Sequence, residues 1–230
     1  MKYGEGVMGY GVSSKPKIGV FDSGVGGLSV ANAVQKAMPG YDVVYATDKT
    51  HIPYGTKSPR QIHGYVVPIL QDLIDQGCRV IVIACNTVTT TIIGTLRQEL
   101  KVPLIGMEPM VKSAAEQSKT GIIAVCATPT TLASKRYAWL KNTYAKRFKV
   151  IEPDCSDWTK LIETNQINRR HIFEQVENAC RAGADVIVLG CTHYHWIENE
   201  IKKIANKRAR IIQPEQSVIA QLKRVLSQSA

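Results

Sequence analysis

Two cysteines stand in matching settings. "VIVIACNT" (80–87) carries Cys85 and "VIVLGCTH" (186–193) carries Cys191. In each, an apolar run ends at a thiol and small polar residues follow. A continuous Val/Ile run of this length reads as a buried strand, which places each cysteine at a strand's carboxyl end. If two such strands face one another across a cleft, one thiolate can take a proton from a carbon. The opposite thiol can then return a proton to the other face. That is inversion of a stereocentre by two bases, and equivalent bases suit a substrate and product that are mirror images. The role asks for cysteines whose pKa is tuned down toward neutrality.

The neighbours supply candidates for that tuning. Asp22 closes the apolar run "KIGVFD" and is expected to hydrogen-bond near Cys85, while His193 follows Cys191 by two residues. Asn86, Thr87 and Thr192 open the segments after the cysteines, where helix N-termini hold a carboxylate and stabilise charge on a carbanion. "DSGVGG" (22–27) is a glycine-rich turn that does not complete the dinucleotide pattern GxGxxG, so a weak phosphate site is its alternative reading. "HIPYGTKS" (51–58) has a Pro53-Tyr54-Gly55 centre whose backbone N–H groups suit a second carboxylate; alone it is an ordinary turn. No CxxC or HxxxH spacing occurs, and no metal site is expected. Cys78, Cys155 and Cys180 read as small buried hydrophobes.

The elements that must position these residues alternate between short apolar runs and amphipathic stretches. Strands are expected at "KIGVFD", "YDVVYATD", "RVIVIAC" and "VPLIGM". They are expected again at "GIIAVCAT", "KVIEPD", "DVIVLGC" and "ARIIQ". The intervening helices include one carrying Leu28, Val34 and Met38 and one over 58–76 with Val66, Ile69 and Leu73 inward, kinked or restarted at Pro68. A helix over 168–182 presents Ile172, Phe173, Val176 and Ala179. A last helix opens at Pro214, with Val218, Ile219, Leu222 and Val225 inward. The fold class is α/β with parallel sheet. The pattern also repeats, pairing Cys85 with Cys191, Gly77 with Gly183 and Asp22 with Cys126. Two similar lobes related by a pseudo-twofold axis are expected: 17–109 with 213–230, and 110–212, after a flexible lead-in over 1–16.

With 230 residues, 44% hydrophobic and 21% charged, the chain can bury a core. No run approaches the ~20 apolar residues of a membrane span, and the opening stretch lacks a signal-like apolar core, so the cytoplasm is the expected compartment. Six scattered cysteines do not make a disulfide scaffold. The net charge of +10 gathers in "SKRYAWLKNTYAKRFK" and "KKIANKRAR". Both read as solvated helix faces, with nucleic acid the less favoured partner, since no RNA-binding sheet or helix-turn-helix accompanies them.

"VFDSGVGGLSV", "IPYGTKS", "ACNT" and "GCTHY", in this order, resemble the cofactor-independent aspartate/glutamate racemase family over nearly the whole chain from Lys17. "FDSGVGG" favours its glutamate branch. The resemblance implies direct proton transfer at Cα of glutamate without pyridoxal phosphate or metal. It also implies a homodimer and a role in supplying D-glutamate for peptidoglycan. By motif position, Cys85 takes the proton from D-glutamate and Cys191 from L-glutamate. Asp22 and His193 assist their thiols, and Glu163 is the histidine's acidic partner. Asp22, Ser23, Pro53, Tyr54, Gly55, Asn86, Thr87, Thr192 and His193 match substrate-contacting positions. The chain departs from the family pattern at Val88 and Thr89, at His195 and Trp196 where Pro commonly follows "CTHY", and at Gln213 where Asp is frequent. Rival readings are a racemase of another small acid such as aspartate, a non-catalytic binding protein and a cysteine hydrolase.

Overall fold

The computed structural model describes residues 15–228, so most of the expected lead-in lies outside the described residues. Lys15 and Pro16 are already tied down: the Lys15 ammonium donates to the Pro39 carbonyl and the Asp42 N–H to that of Pro16.

The two halves build the same sheet twice. In the first, β1 (Lys17–Asp22), β2 (Asp42–Thr47), β3 (Cys78–Ile83) and β4 (Leu104–Gly106) lie in the order β2-β1-β3-β4. In the second, β5 (Ile122–Ala127), β6 (Lys149–Ile151), β7 (Val186–Gly190) and β8 (Arg210–Ile212) lie in the order β6-β5-β7-β8. All pairings are parallel. The central strands are buried on both faces, which explains why they read as unbroken apolar runs rather than alternating ones. Each sheet has a core on either side, with Ile81 and Ile83 on one face of the first and Val80 and Val82 on the other.

The repeat extends to helix ends. α2 (Pro59–Asp75) and α8 (Arg169–Arg181) each stop two residues before a glycine in the left-handed region, Gly77 (φ +87°) and Gly183 (φ +94°). That conformation reverses the chain into β3 and β7, and only glycine adopts it without a Cβ penalty. α10 (Glu215–Ser227) returns to the first sheet, where Val218 and Leu222 join the core of Ile18, Val20 and Val30.

Some local expectations fail for identifiable reasons. α2 runs through Pro68 without a break and begins with a full capping box at Ser58 and Gln61; Val66 and Leu73 are buried as expected, and Ile69 packs half-buried against the same core. In α1 (Leu28–Ala37) the buried stripe is Val30, Ala31 and Val34; Leu28 is exposed, and Met38, at the helix C-cap, packs half-buried against the same core. Phe173 is exposed on α8. After Cys191 the chain forms a 3-10 helix, Thr192–Ile197, before α9 (Glu198–Ala205), so only the Cys85 side opens directly into an α-helix, α3 (Asn86–Glu99).

Candidate active site

The carboxyl ends of β1, β3 and β7 converge between the two sheets, and Asp22, Cys85 and Cys191 sit there. All are buried: Asp22 is 0%, Cys85 5% and Cys191 7% exposed. The Gly24–Gly27 turn lies against the 3-10 helix after Cys191. A Cβ at Gly26 would stand 2.6 Å from the His193 backbone nitrogen, and one at Gly27 would stand 2.4 Å from the Asp22 Cβ. The glycine-rich turn therefore has a packing reason: it lets one half of the site close directly on the other.

The thiols have different surroundings. Cys85 Sγ lies 3.4 Å from the Ser23 hydroxyl. Burial and the Asp22 carboxylate beside it push its thiol up to about 12. The expectation of a thiol tuned toward neutrality is thus contradicted at Cys85, because a sulfur removed from water beside a like charge holds its proton. Nor does Asp22 hydrogen-bond to Cys85. Its Oδ2 instead accepts from the Gly27 N–H at 2.7 Å and from the Thr192 hydroxyl at 3.1 Å. Burial raises its own pKa, against the opposing pull of His193.

Cys191 faces a cation. His193 Nδ1 is 3.7 Å from Cys191 Sγ, and its Nε2 lies 2.5 Å from Glu163 Oε1. Burial works against charge on the ring, but Cys191 and then Glu163 outweigh it and lift the imidazole to about 10. The same pairing lowers the Glu163 carboxyl, which also accepts from the Val25 N–H at 2.9 Å. A protonated imidazole at this distance attracts negative charge developing on the sulfur. One thiol thus stands beside a carboxylate and the other beside an imidazolium.

Other expected residues surround this pair. Asn86 is 2% exposed, and both its side-chain polar atoms lack a partner in the described structure, as does Asp22 Oδ1. Buried polar atoms of this kind are costly unless something pairs with them, which leaves Asn86 and Asp22 Oδ1 with hydrogen-bonding capacity to spare between the two thiols' strands. The Thr87 hydroxyl meets that of Thr128 at 3.0 Å, joining α3 to the second half. Pro53 leads into a short 3-10 turn, Tyr54–Thr56. There the Tyr54 hydroxyl donates to Asp48 at 2.7 Å and the Gly55 carbonyl accepts from Thr130 at 2.6 Å. This loop is held to both halves of the molecule.

Sequence reasoning missed Thr159, whose hydroxyl is 3.8 Å from Cys191 Sγ. It precedes Glu163 by one turn of α7 (Trp158–Glu163), and that i,i+4 spacing was the available signal. It also missed Tyr45 and Thr47, whose hydroxyls both donate to the Gly24 carbonyl; alternation along β2 was the only hint. Of the departures, Val88 is fully buried in the core with Cys85, and Thr89 bonds back to the Ile83 carbonyl. Trp196 is 57% exposed. Gln213 donates to Glu198 at 3.2 Å.

Two matched parallel α/β sheets with a thiol at the carboxyl end of each define a two-lobed α/β protein with both thiols between the lobes. A family model described as Asp/Glu/Hydantoin racemase matches residues 28–222. The chain belongs to that family. It is 38% identical to the glutamate racemase of Ralstonia pickettii (strain 12J) over 214 residues, which is 91% of this chain and 76% of that one. It is also 38% identical to the glutamate racemase of Pseudomonas syringae pv. tomato, over 92% of this chain and 79% of that one. Among solved structures, Escherichia coli glutamate racemase in complex with L-glutamate and the activator UDP-MurNAc-Ala aligns with a TM-score of 0.82. The identity is 27%, with 93% of this chain and 83% of that one covered. The Francisella tularensis enzyme in complex with D-glutamate aligns at 0.78 and 29% identity, covering 94% and 82%. Among the described residues no helix is long and apolar enough to cross a membrane.

Proposed function

We propose that this chain is a glutamate racemase that inverts Cα by two-base proton transfer between Cys191 and Cys85. The observation that carries the reading is the pairing of thiols at equivalent strand ends with unlike partners, an imidazolium at Cys191 and a carboxylate at Cys85. From L-glutamate, Cys191 takes the Cα proton as its sulfur, beside protonated His193, acts as base. Cys85, held in its thiol form, gives its proton to the opposite face. One Cα–H bond breaks and another forms; Cys191 ends protonated and Cys85 ends as thiolate. The reverse sequence converts D-glutamate. The two thiols supply both base and acid, so the reaction as proposed calls on no cofactor.

Asn86, Thr87 and the first N–H groups of α3 suit one carboxylate, and the Pro53–Tyr54–Gly55 turn suits the other. Ser23, Asp22, Thr192 and His193 complete the lining, and Glu163 holds the histidine. We divide the molecule as 17–109 with 213–230, and 110–212. The family resemblance supports a homodimer acting in the cytoplasm to supply D-glutamate for peptidoglycan.

Racemisation in D2O tests the transfer. Two bases predict that the product enantiomer formed early carries deuterium at Cα while the remaining substrate does not, because a solvent-exchanged thiol delivers the proton. Product that retains the substrate's own hydrogen would contradict it. Aspartate in the same assay is expected to turn over far more slowly.

A further inference from the structure

Three side-chain bridges join the Gly24–Gly27 turn and its flanks to the second lobe. Thr192 donates to Asp22, and Glu163 accepts from the Val25 N–H. Both involve residues of the proposed machinery. The third does not: His195 Nδ1 lies 3.1 Å from the Ser29 hydroxyl, at the start of α1. Ser29 Oγ also donates to the Gly26 carbonyl at 3.2 Å. With its proton used there, the hydroxyl is left to accept from Nδ1–H. The other ring nitrogen, Nε2, is buried and has no partner in the described structure. Burial lowers this imidazole to about 4, with Glu198 opposing and His193 adding to the effect, so the ring is neutral.

The position of His195 gives this bond leverage. It lies on the same 3-10 helix as Thr192 and His193, two residues beyond the imidazole that faces Cys191. Ser29 lies just past the glycine turn that follows Asp22. The packing between them is tight enough that a Cβ at Gly26 would collide with Thr192 and the His193 backbone. A directional bond at the outer edge of this contact fixes how the 3-10 helix sits on the turn. It therefore fixes His193 relative to Asp22.

We infer that His195 is a positioning residue of the site: through Ser29 it latches the helix carrying Thr192 and His193 onto the turn after Asp22, holding the two halves in catalytic register. The inference rests on the racemase reading above, and the same assay separates the two. Wild-type protein that does not racemise glutamate defeats the reading itself; the latch is judged only against an active wild type.

The test is a double-mutant cycle of His195→Ala, Ser29→Ala and the pair, with His195→Asn as the conservative variant that keeps a donor at the Nδ1 position. Enantiomers have equal free energy, so kcat/KM must fall equally in both directions. A single net hydrogen bond predicts a loss of about fivefold for each single variant, carried by kcat rather than KM. The double variant should be no worse than the worse single, and His195→Asn should recover most of the rate. Ring nitrogen NMR gives a readout independent of activity: Ser29→Ala should shift the His195 Nδ1 signal. Multiplicative losses in the double variant, a change confined to KM, unchanged rates or an unmoved Nδ1 signal would each overturn the latch.

Discussion

At the level of single residues, His193 is the pivot of the site, between Cys191 and Glu163. Its imidazole is lifted from 6.5 to about 10, against burial, by Cys191 and Glu163. A group with a raised folded pKa stabilises the fold fully below about pH 6.5 and loses that contribution as pH climbs through about 10. Glu163 has the opposite sign: its lowered pKa contributes above 4.5 and is lost as pH falls through its folded value. Glu163→Gln is expected to lower kcat/KM by about ten- to a hundredfold, the scale of a lost charged hydrogen bond. It should also move the basic limb of the pH–rate profile to lower pH. A profile that keeps its basic limb would show that Glu163 does not set the histidine's charge. The two thiols, Asp22 and His193 were legible in the sequence because strand ends and motif order locate them. The partner of each thiol was legible too, Asp22 for Cys85 and His193 for Cys191. Not legible were the sign of the Asp22 effect, which raises the Cys85 thiol, and the bond that Thr192 gives Asp22 from the other lobe, a contact between residues far apart in the chain.

At the level of elements, the glycines make opposite predictions. Gly64 lies inside α2 with open space around its Cβ direction, so Gly64→Ala should stabilise the protein by about 0.5–1 kcal/mol. Gly77 holds a positive φ, and Gly77→Ala should cost about 1–2 kcal/mol even though the space is equally open. Gly26→Ala places a methyl group against backbone that cannot yield. It should cost about 1–3 kcal/mol and most of the activity. Thermal unfolding of the three variants checks the order. Strands were the most legible elements, because burial on both faces writes itself as unbroken apolar runs. Helix faces were less so: Leu28 and Phe173 have the right spacing but point to solvent, and hydrophobicity alone does not say which side of a short helix finds a neighbour. The 3-10 helix at Thr192–Ile197 has no periodic signature in so few residues.

At the level of the molecule, the repeat was the most informative feature of the sequence, and its reality shows in two sheets of one strand order and in the matched Gly77 and Gly183. What the sequence did not reveal is how tightly the halves close. All six cysteines are buried and free. A thiol reagent should therefore react slowly with native protein and count all six in denaturant; rapid reaction of native Cys85 or Cys191 would show an open cleft instead. The most direct test of the central claim is circular dichroism of L-glutamate and, separately, D-glutamate incubated with the protein and no added cofactor, beside folded Cys85→Ser and Cys191→Ser variants. Both enantiomers should decay to zero signal with the wild type and hold their signal with either variant. A wild type that leaves both signals unchanged, or a variant that still racemises at the wild-type rate, would contradict a mechanism built on two thiols.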